Sequence, residues 1–281
     1  MKFSKMQGCG NDYVYVNCFS EKVDNPEELA RKISDRHFGI GSDGLILILP
    51  PDDTNKADAF MQLYNADGSK GSMCGNGIRC VAKYVYDHGL IPHDRTYTRI
   101  DTPAGVKEIA LEIHNDRVEF ATVDMGIAKL DGEINEAISV NNMSLKFIGV
   151  DVGNDHAVYF VEDNPEIMGI NSWPDSKFSD EGKHFETHSR FPRRVNSEFI
   201  EVISRNEINM RVYERGSGET FACGTGATAS AFAGVIAGKL NRGENILVHL
   251  RGGDLRIKVD DENRCYMTGP AVEVFSGDYE V

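Results

Sequence analysis

No stretch of this chain approaches the roughly 20 consecutive apolar residues of a bilayer-spanning helix. Residues 1–11 are polar and lack the apolar core of a secretion signal. No C-x-x-C pair occurs, so the usual spacing of a structural zinc site or a redox dithiol is missing. H-E-x-x-H, the phosphate-binding P-loop and G-x-S-x-G are absent too, and no lysine context points to a pyridoxal Schiff base. Basic residues are in deficit: 30 Lys and Arg stand against 44 Asp and Glu, for a formal charge of −14. That balance disfavours nucleic acid and anionic membrane as partners, though a local site can still take a small anion. The expectation is a soluble, cytoplasmic protein without metal or cofactor.

The 281 residues, 41% of them hydrophobic, suffice for one large domain or two ordinary ones. Six cysteines are present, at positions 9, 18, 74, 80, 223 and 265. In a long chain without a secretion signal they read as reduced thiols. Two sit in matching settings. Met73-Cys74-Gly75-Asn76-Gly77 and Ala222-Cys223-Gly224-Thr225-Gly226 both run small or apolar, Cys, Gly, x, Gly, and lie about half a chain apart. Gly10-Asn11-Asp12 and Gly153-Asn154-Asp155 repeat at nearly the same offset, each before an apolar strand. Two matches in the same order favour two similar domains.

Hydrophobic periodicity places strands at 13–16, 45–49, 60–64, 106–113 and 117–123 in the first half. A helix starts at Asn25-Pro26-Glu27-Glu28 and runs to about Arg36. Ile78, Val81, Ala82 and Val85 carry helical spacing after Cys74, and Gly89 ends that helix. The second half repeats the plan. Strands fall at 145–150, 157–161, 199–204, 209–213, 246–250, 255–259 and 265–267, a short helix at 165–168, and an all-round apolar helix at 227–237. Residues 173–193 are charge-rich and read as an exposed loop or helix. Gly39-Ile40-Gly41-Ser42-Asp43-Gly44 fits G-x-G-x-x-G, but it follows a helix and precedes a strand, the reverse of a dinucleotide site.

A cysteine at a helix start faces amide N–H groups that lack partners and the positive end of the helix dipole. Both favour the thiolate, so its pKa is expected to fall toward neutrality. The same N–H groups can hold a carboxylate. Two such starts facing each other would put one sulfur on each face of a carbon beside that carboxylate. One thiolate removes the α-proton and the opposite thiol returns another, while amide donors hold the developing enolate. The pair then titrates as one coupled unit. Cys9, Cys18, Cys80 and Cys265 read as packed, inert side chains.

At this point the chain resembles the diaminopimelate epimerase family. The resemblance rests on residues 5–13, 65–69, 73–80, 153–156, 213–220 and 222–226, which occur in family order from end to end. It implies an α/β (α+β) fold of two similar pseudo-symmetric domains, each a mostly antiparallel, barrel-like sheet around a central helix, with the active site in the cleft between them. The implied domains are 1–120 with 269–281, and 121–268. The implied activity is cofactor-independent interconversion of LL- and meso-diaminopimelate, in lysine and cell-wall precursor biosynthesis. Cys74 and Cys223 would be the acid/base pair. Gly75-Asn76 and Gly224-Thr225 would hold the reacting carboxylate through backbone amides. Asn11, Asn65, Asn154, Asn196 and the pair Glu214-Arg215 would bind the rest of the substrate. Glu214 suits an ammonium, and Arg215 a distal carboxylate. His156 and Glu214 would tune the thiols. The substrate is the one partner implied, and a homodimer is the oligomer to test.

The bland alternatives are turn chemistry for the asparagines and a satisfied buried histidine for His156. Two positions depart from the family pattern. Asp155 stands where proline is common, and Gly44 where some members carry glutamine. A two-cysteine racemase for proline-like substrates and a non-catalytic dithiol switch are the competing functions.

Overall fold

The computed structural model describes residues 1–167, 169–170 and 172–280. The fold is mixed α/β, rich in strands, with four α-helices among the described residues. The chain divides into two compact units, Met1–Asp124 with Thr268–Val281, and Met125–Met267.

In the first unit the strand Lys2–Gly8 lies antiparallel between Val272–Asp278 and Asn11–Asn17. Asn11–Asn17 runs parallel to Gly44–Leu49, which turns back into Ala59–Asn65. That strand is parallel to Tyr97–Asp101, and Lys107–His114 and Arg117–Ile127 follow antiparallel. The second unit repeats the succession. Glu136–Val140, Met143–Asp151 and Asp155–Phe160 are antiparallel, and the last is parallel to Asn196–Ser204. Glu207–Glu214 returns antiparallel, steps parallel to Asn245–Leu250, and Gly253–Val259 closes antiparallel.

A parallel step needs a crossover, and a helix supplies each one. The helices α1 (Pro26–Ser34) and α2 (Gly75–Asp87) serve the first unit, α3 (Asp175–Glu186) and α4 (Gly224–Ile236) the second. The first helix of each pair is amphipathic. In α1, Leu29, Ala30 and Ile33 are buried, with Pro26 in the first turn, Glu27 and Glu28 beside it and Arg31 and Lys32 in the last. That order suits the helix dipole. The helix stops at Ser34, short of the expected Arg36, because the Asp35 carboxylate takes the N–H groups of His37 (2.7 Å) and Phe38 (2.9 Å). The second helix of each pair is buried on every side, from Asn76 to Tyr86 in α2 and over nearly all of α4. In α4 alanines let strands approach closely, and the hydroxyls of Thr228 and Ser230 are absorbed by the carbonyls of Gly224 and Gly226. A left-handed glycine follows each, Gly89 (φ 68°) and Gly238 (φ 70°).

The charge-rich segment has a definite place. Helix α3 buries Phe178 and Phe185 among Trp173, Tyr159 and Phe199. Arg211 stacks on Phe178 at 4.0 Å and donates to the carbonyls of Ile170 and Trp173, with Glu219 pairing its guanidinium at 2.8 Å. Each such aromatic pair is worth about 0.5–1.5 kcal/mol beyond its burial. The expected helix at 165–168 is a 3-10 turn, Pro165–Ile167, and Met168 lies outside the described residues.

The parallel step between Ala59–Asn65 and Tyr97–Asp101 is pinned by Asp58. Its carboxylate takes a bidentate fork from Arg95 (2.7 and 3.1 Å), the Arg99 amide (2.7 Å) and the Thr98 hydroxyl (3.1 Å). Burial alone would raise this carboxyl; the Arg95 fork and the other donors outweigh it and hold it below the usual range. A depressed carboxyl contributes stability above its unfolded value near pH 4, lost as pH falls through the folded value. Asp58→Asn is therefore expected to cost about 2 kcal/mol at pH 7. Urea melts of both proteins should show that gap closing as the pH is lowered through the carboxyl range.

Candidate active site

Both cysteines of the repeated motif cap a buried helix. Cys74 is the N-cap of α2, with φ −136° and ψ 119°, and its sulfur accepts the Gly77 N–H at 3.4 Å. Cys223 is the N-cap of α4, with φ −120° and ψ 110°, and its sulfur accepts the Gly226 N–H at 3.3 Å. Ser, Thr, Asp and Asn are the usual residues here, so a sulfur in this role is a chemical choice. The glycine is a packing requirement. A Cβ at Gly77 would stand 2.8 Å from the Ile46 Cδ1, and one at Gly226 would stand 2.7 Å from Glu198 Oε1.

Around Cys74 lie Asn11, Tyr13, Asn76 and Arg79. The thiol donates to Asn11 Oδ1 at 3.3 Å, while Asn11 Nδ2 donates to Asp43 at 2.7 Å. Arg36 bridges Asp43 (3.0 Å) and Asp12 (2.7 Å), so a salt-linked frame orients the Asn11 amide. Burial pushes the Cys74 thiol above its ordinary range, against the Gly77 N–H, the Tyr13 hydroxyl, the Asn76 N–H and the Arg79 charge. Arg79 is fully buried and donates to the Gly75 and Pro270 carbonyls. Asn65 bonds within its own turn, to Ser69 Oγ at 3.0 Å.

Around Cys223 lie Thr225 (3.4 Å from the sulfur) and Glu214. Burial raises this thiol well above its ordinary range, and the Glu214 and Glu198 carboxylates add to the shift; Thr225 and the Gly226 N–H oppose it. Glu214 is itself pushed up by burial, against donation from Thr220 (2.5 Å) and Cys223. His156 is buried between Glu198, at 2.7 Å from Nδ1, and Asn154, at 3.0 Å from Nε2. Asn154 Nδ2 reaches Thr225 Oγ1 at 3.5 Å. Asn196 Oδ1 accepts the Arg215 N–H at 2.8 Å, and Glu186 accepts the Gly216 N–H at 3.0 Å, so the turn carrying Glu214-Arg215 is held from both sides.

The expectation of lowered thiol pKa values is thus corrected. The helix-start donors are present and act downward, but desolvation of a sulfide is the larger effect.

Tyr13, Asp43, Glu198 and Thr220 are site neighbours that sequence reasoning missed. Tyr13 was within reach, since the offset that matches Asn11 to Asn154 matches it to His156. The two departures also have explanations. The Asp155 carboxylate takes Arg193 in a bidentate pair (2.9 and 3.1 Å). A Cβ at Gly44 would stand 2.2 Å from the Tyr64 carbonyl oxygen, so this backbone leaves no room for a side chain. All six cysteines are free thiols. Among the described residues, no cluster of three or more His, Cys, Asp or Glu could hold a metal ion, and no helix is long and apolar enough to cross a membrane.

The family model described as diaminopimelate epimerase matches residues 3–130 and 148–274. Diaminopimelate epimerase of Agathobacter rectalis is 49% identical over the whole of both chains. That of Desulfovibrio desulfuricans is 48% identical over 100% of this chain and 99% of its own. The chain belongs to the diaminopimelate epimerase family. Its activity is that of an isomerase, the epimerisation of diaminopimelate in lysine biosynthesis. The same two-domain fold occurs in more distant structures. One is a probable proline racemase of Agrobacterium radiobacter (TM-score 0.75, 14% identity, covering 100% of this chain and 93% of that one). Another is a PhzF-family phenazine biosynthesis protein of Bacillus anthracis (TM-score 0.69, 15% identity, covering 100% and 99%). At that distance the likeness concerns the fold alone.

In this epimerase-family chain a raised thiol stays protonated to higher pH. Without substrate, alkylation of Cys74 and Cys223 by iodoacetamide, followed residue by residue by mass spectrometry, should therefore rise with pH to midpoints above that of free cysteine. Midpoints at or below the free-cysteine value would contradict the burial argument.

Proposed function

We propose that Cys74 and Cys223 are the acid and base of the epimerisation. The observation that carries this reading is that each unit caps its buried helix with a cysteine whose sulfur already accepts a backbone amide, at 3.4 and 3.3 Å. The reaction inverts one α-carbon, so one sulfur must work on each face. In one direction a thiolate takes the α-hydrogen as a proton, breaking C–H and forming S–H. The electron pair passes into the carboxylate as an enolate. The opposite thiol then breaks its S–H bond and delivers that proton to the other face. The cysteines finish with exchanged protonation states, and for the reverse reaction they exchange roles.

The backbone N–H groups at Gly75-Asn76 and Gly224-Thr225 are the donors for the carboxylate, where enolate charge builds. Amide donors fixed beforehand cost no reorganisation when that charge appears. Asn11, Asn65, Asn154 and Asn196 serve the remaining polar groups of the substrate. Glu214 takes an ammonium and Arg215 grips the distal carboxylate. His156 and Glu214 tune the thiol pKa values; the Glu214 charge acting on Cys223, and the chain from His156 through Asn154 (3.0 Å) to Thr225 (3.5 Å), support that role. With a formal charge of −14, the protein works in the cytoplasm on this small zwitterion, not on nucleic acid or a membrane surface.

Cys74→Ala and Cys223→Ala should each lower turnover by at least about a thousandfold, the order of loss when one member of a concerted catalytic pair is removed. The measurement is conversion of LL-diaminopimelate with deuterium uptake from heavy water. A variant that converts and exchanges at the wild-type rate removes that cysteine from the mechanism.

We also propose a homodimer. The strand Val272–Asp278 exposes Val272, Val274 and Phe275, an apolar run that water disfavours. Sedimentation equilibrium of Phe275→Asp should show a monomer where the wild type sediments as a dimer.

A further inference from the structure

Glu198 is a fully buried carboxylate within the strand Asn196–Ser204. One oxygen faces His156 Nδ1 at 2.7 Å, and the other has no hydrogen-bond partner among the described residues. A buried carboxylate with an unsatisfied oxygen costs stability, so packing alone does not explain it. The repeat gives an internal control. Tyr15 stands opposite Ile46 in the parallel step of the first unit, and Val158 opposite Glu198 in that of the second. Each lies beneath the first turn of its capped helix. Ile46 Cδ1 is the atom nearest a Cβ built at Gly77, and Glu198 Oε1 the atom nearest one built at Gly226. The fold accepts an apolar side chain in this place in one copy and holds a carboxyl group in the other.

What surrounds this carboxyl group suggests its use. Glu198 Oε1 engages the Nδ1 side of the His156 ring at 2.7 Å. An amide oxygen can only accept, so Asn154 Oδ1 takes the hydrogen on His156 Nε2 at 3.0 Å, and this sets how Asn154 Nδ2 meets Thr225 at 3.5 Å. Thr225 is 3.4 Å from the Cys223 sulfur. The titratable groups facing Glu198 are His156 and Tyr159 of the strand Asp155–Phe160, Glu214 of Glu207–Glu214, and Cys223 at the start of α4.

We infer that Glu198 is a positioning residue of the epimerisation, holding His156 in the one ring orientation that lets Asn154 keep Thr225 against the Cys223 sulfur. This rests on the acid/base role proposed for Cys223.

The test uses the full chain with Glu198→Ile, which installs the side chain of the other unit, and Glu198→Gln. In either variant kcat should fall about 10- to 100-fold, as for loss of a group that orients a working histidine, with KM changed less than about 2-fold. The pH midpoint of Cys223 alkylation should move, and that of Cys74 should stay. In Glu198→Ile the nitrogen-15 resonance of His156 Nδ1 in labelled histidine should shift, assigned by comparison with His156→Gln. Wild-type kcat in a folded variant overturns the inference. So does a lost kcat in Glu198→Ile with the His156 signature and the Cys223 curve both unchanged. Should Glu198→Ile not fold, kcat and the Cys223 curve of Glu198→Gln decide by the same criteria. The acid/base reading is judged separately: Cys223→Ala exchanging deuterium at the wild-type rate would sink it whatever Glu198 does.

Discussion

A backbone amide aimed at a sulfur is the interaction around which each half of this protein is arranged. For the Gly77 and Gly226 N–H groups to reach Cys74 and Cys223, a helix must begin at the cysteine itself. The third helical residue must be glycine, because Ile46 or Glu198 fills the space where a side chain would go. The helix must also be held from every side, since a frayed first turn would lose the amide direction. The strands that wrap α2 and α4, and the crossovers that bring them round, meet that need.

Two opposed effects act on each sulfur. Burial disfavours the thiolate, and the amide and hydroxyl donors favour it. Burial prevails, and each thiol lies above its ordinary range. Glu214 follows the same logic, a carboxyl raised by burial next to the thiol it influences.

The two units share their pairing order, their helix starts and their terminal glycines, and they differ where chemistry touches the cap. Tyr13 and Ile46 accompany Cys74; His156 and Glu198 accompany Cys223. Gly44 has no room for a side chain, whereas Asn196, at the equivalent step, holds the Arg215 amide. Duplication thus supplied the frame, and divergence gave each sulfur its own neighbours.

Much was legible in the chain. The Cys-Gly-x-Gly repeat, the Gly-Asn-Asp repeat and the all-round apolar pattern of α4 are local features, and local features survive in one dimension. They determined the family, the two capped helices and most strands. Lys2–Gly8 escaped notice because its polar residues break the apolar signal while Phe3 and Met6 go inward. A helix is one reading of the segment that holds α3, but its burial escaped because that depends on Arg211 and an aromatic cluster drawn from distant strands. Only the tertiary structure decided the state of the thiols and their neighbours. Desolvation depends on everything that surrounds a sulfur, and Glu198 meets His156 through strand register, a relation between segments that no local pattern contains.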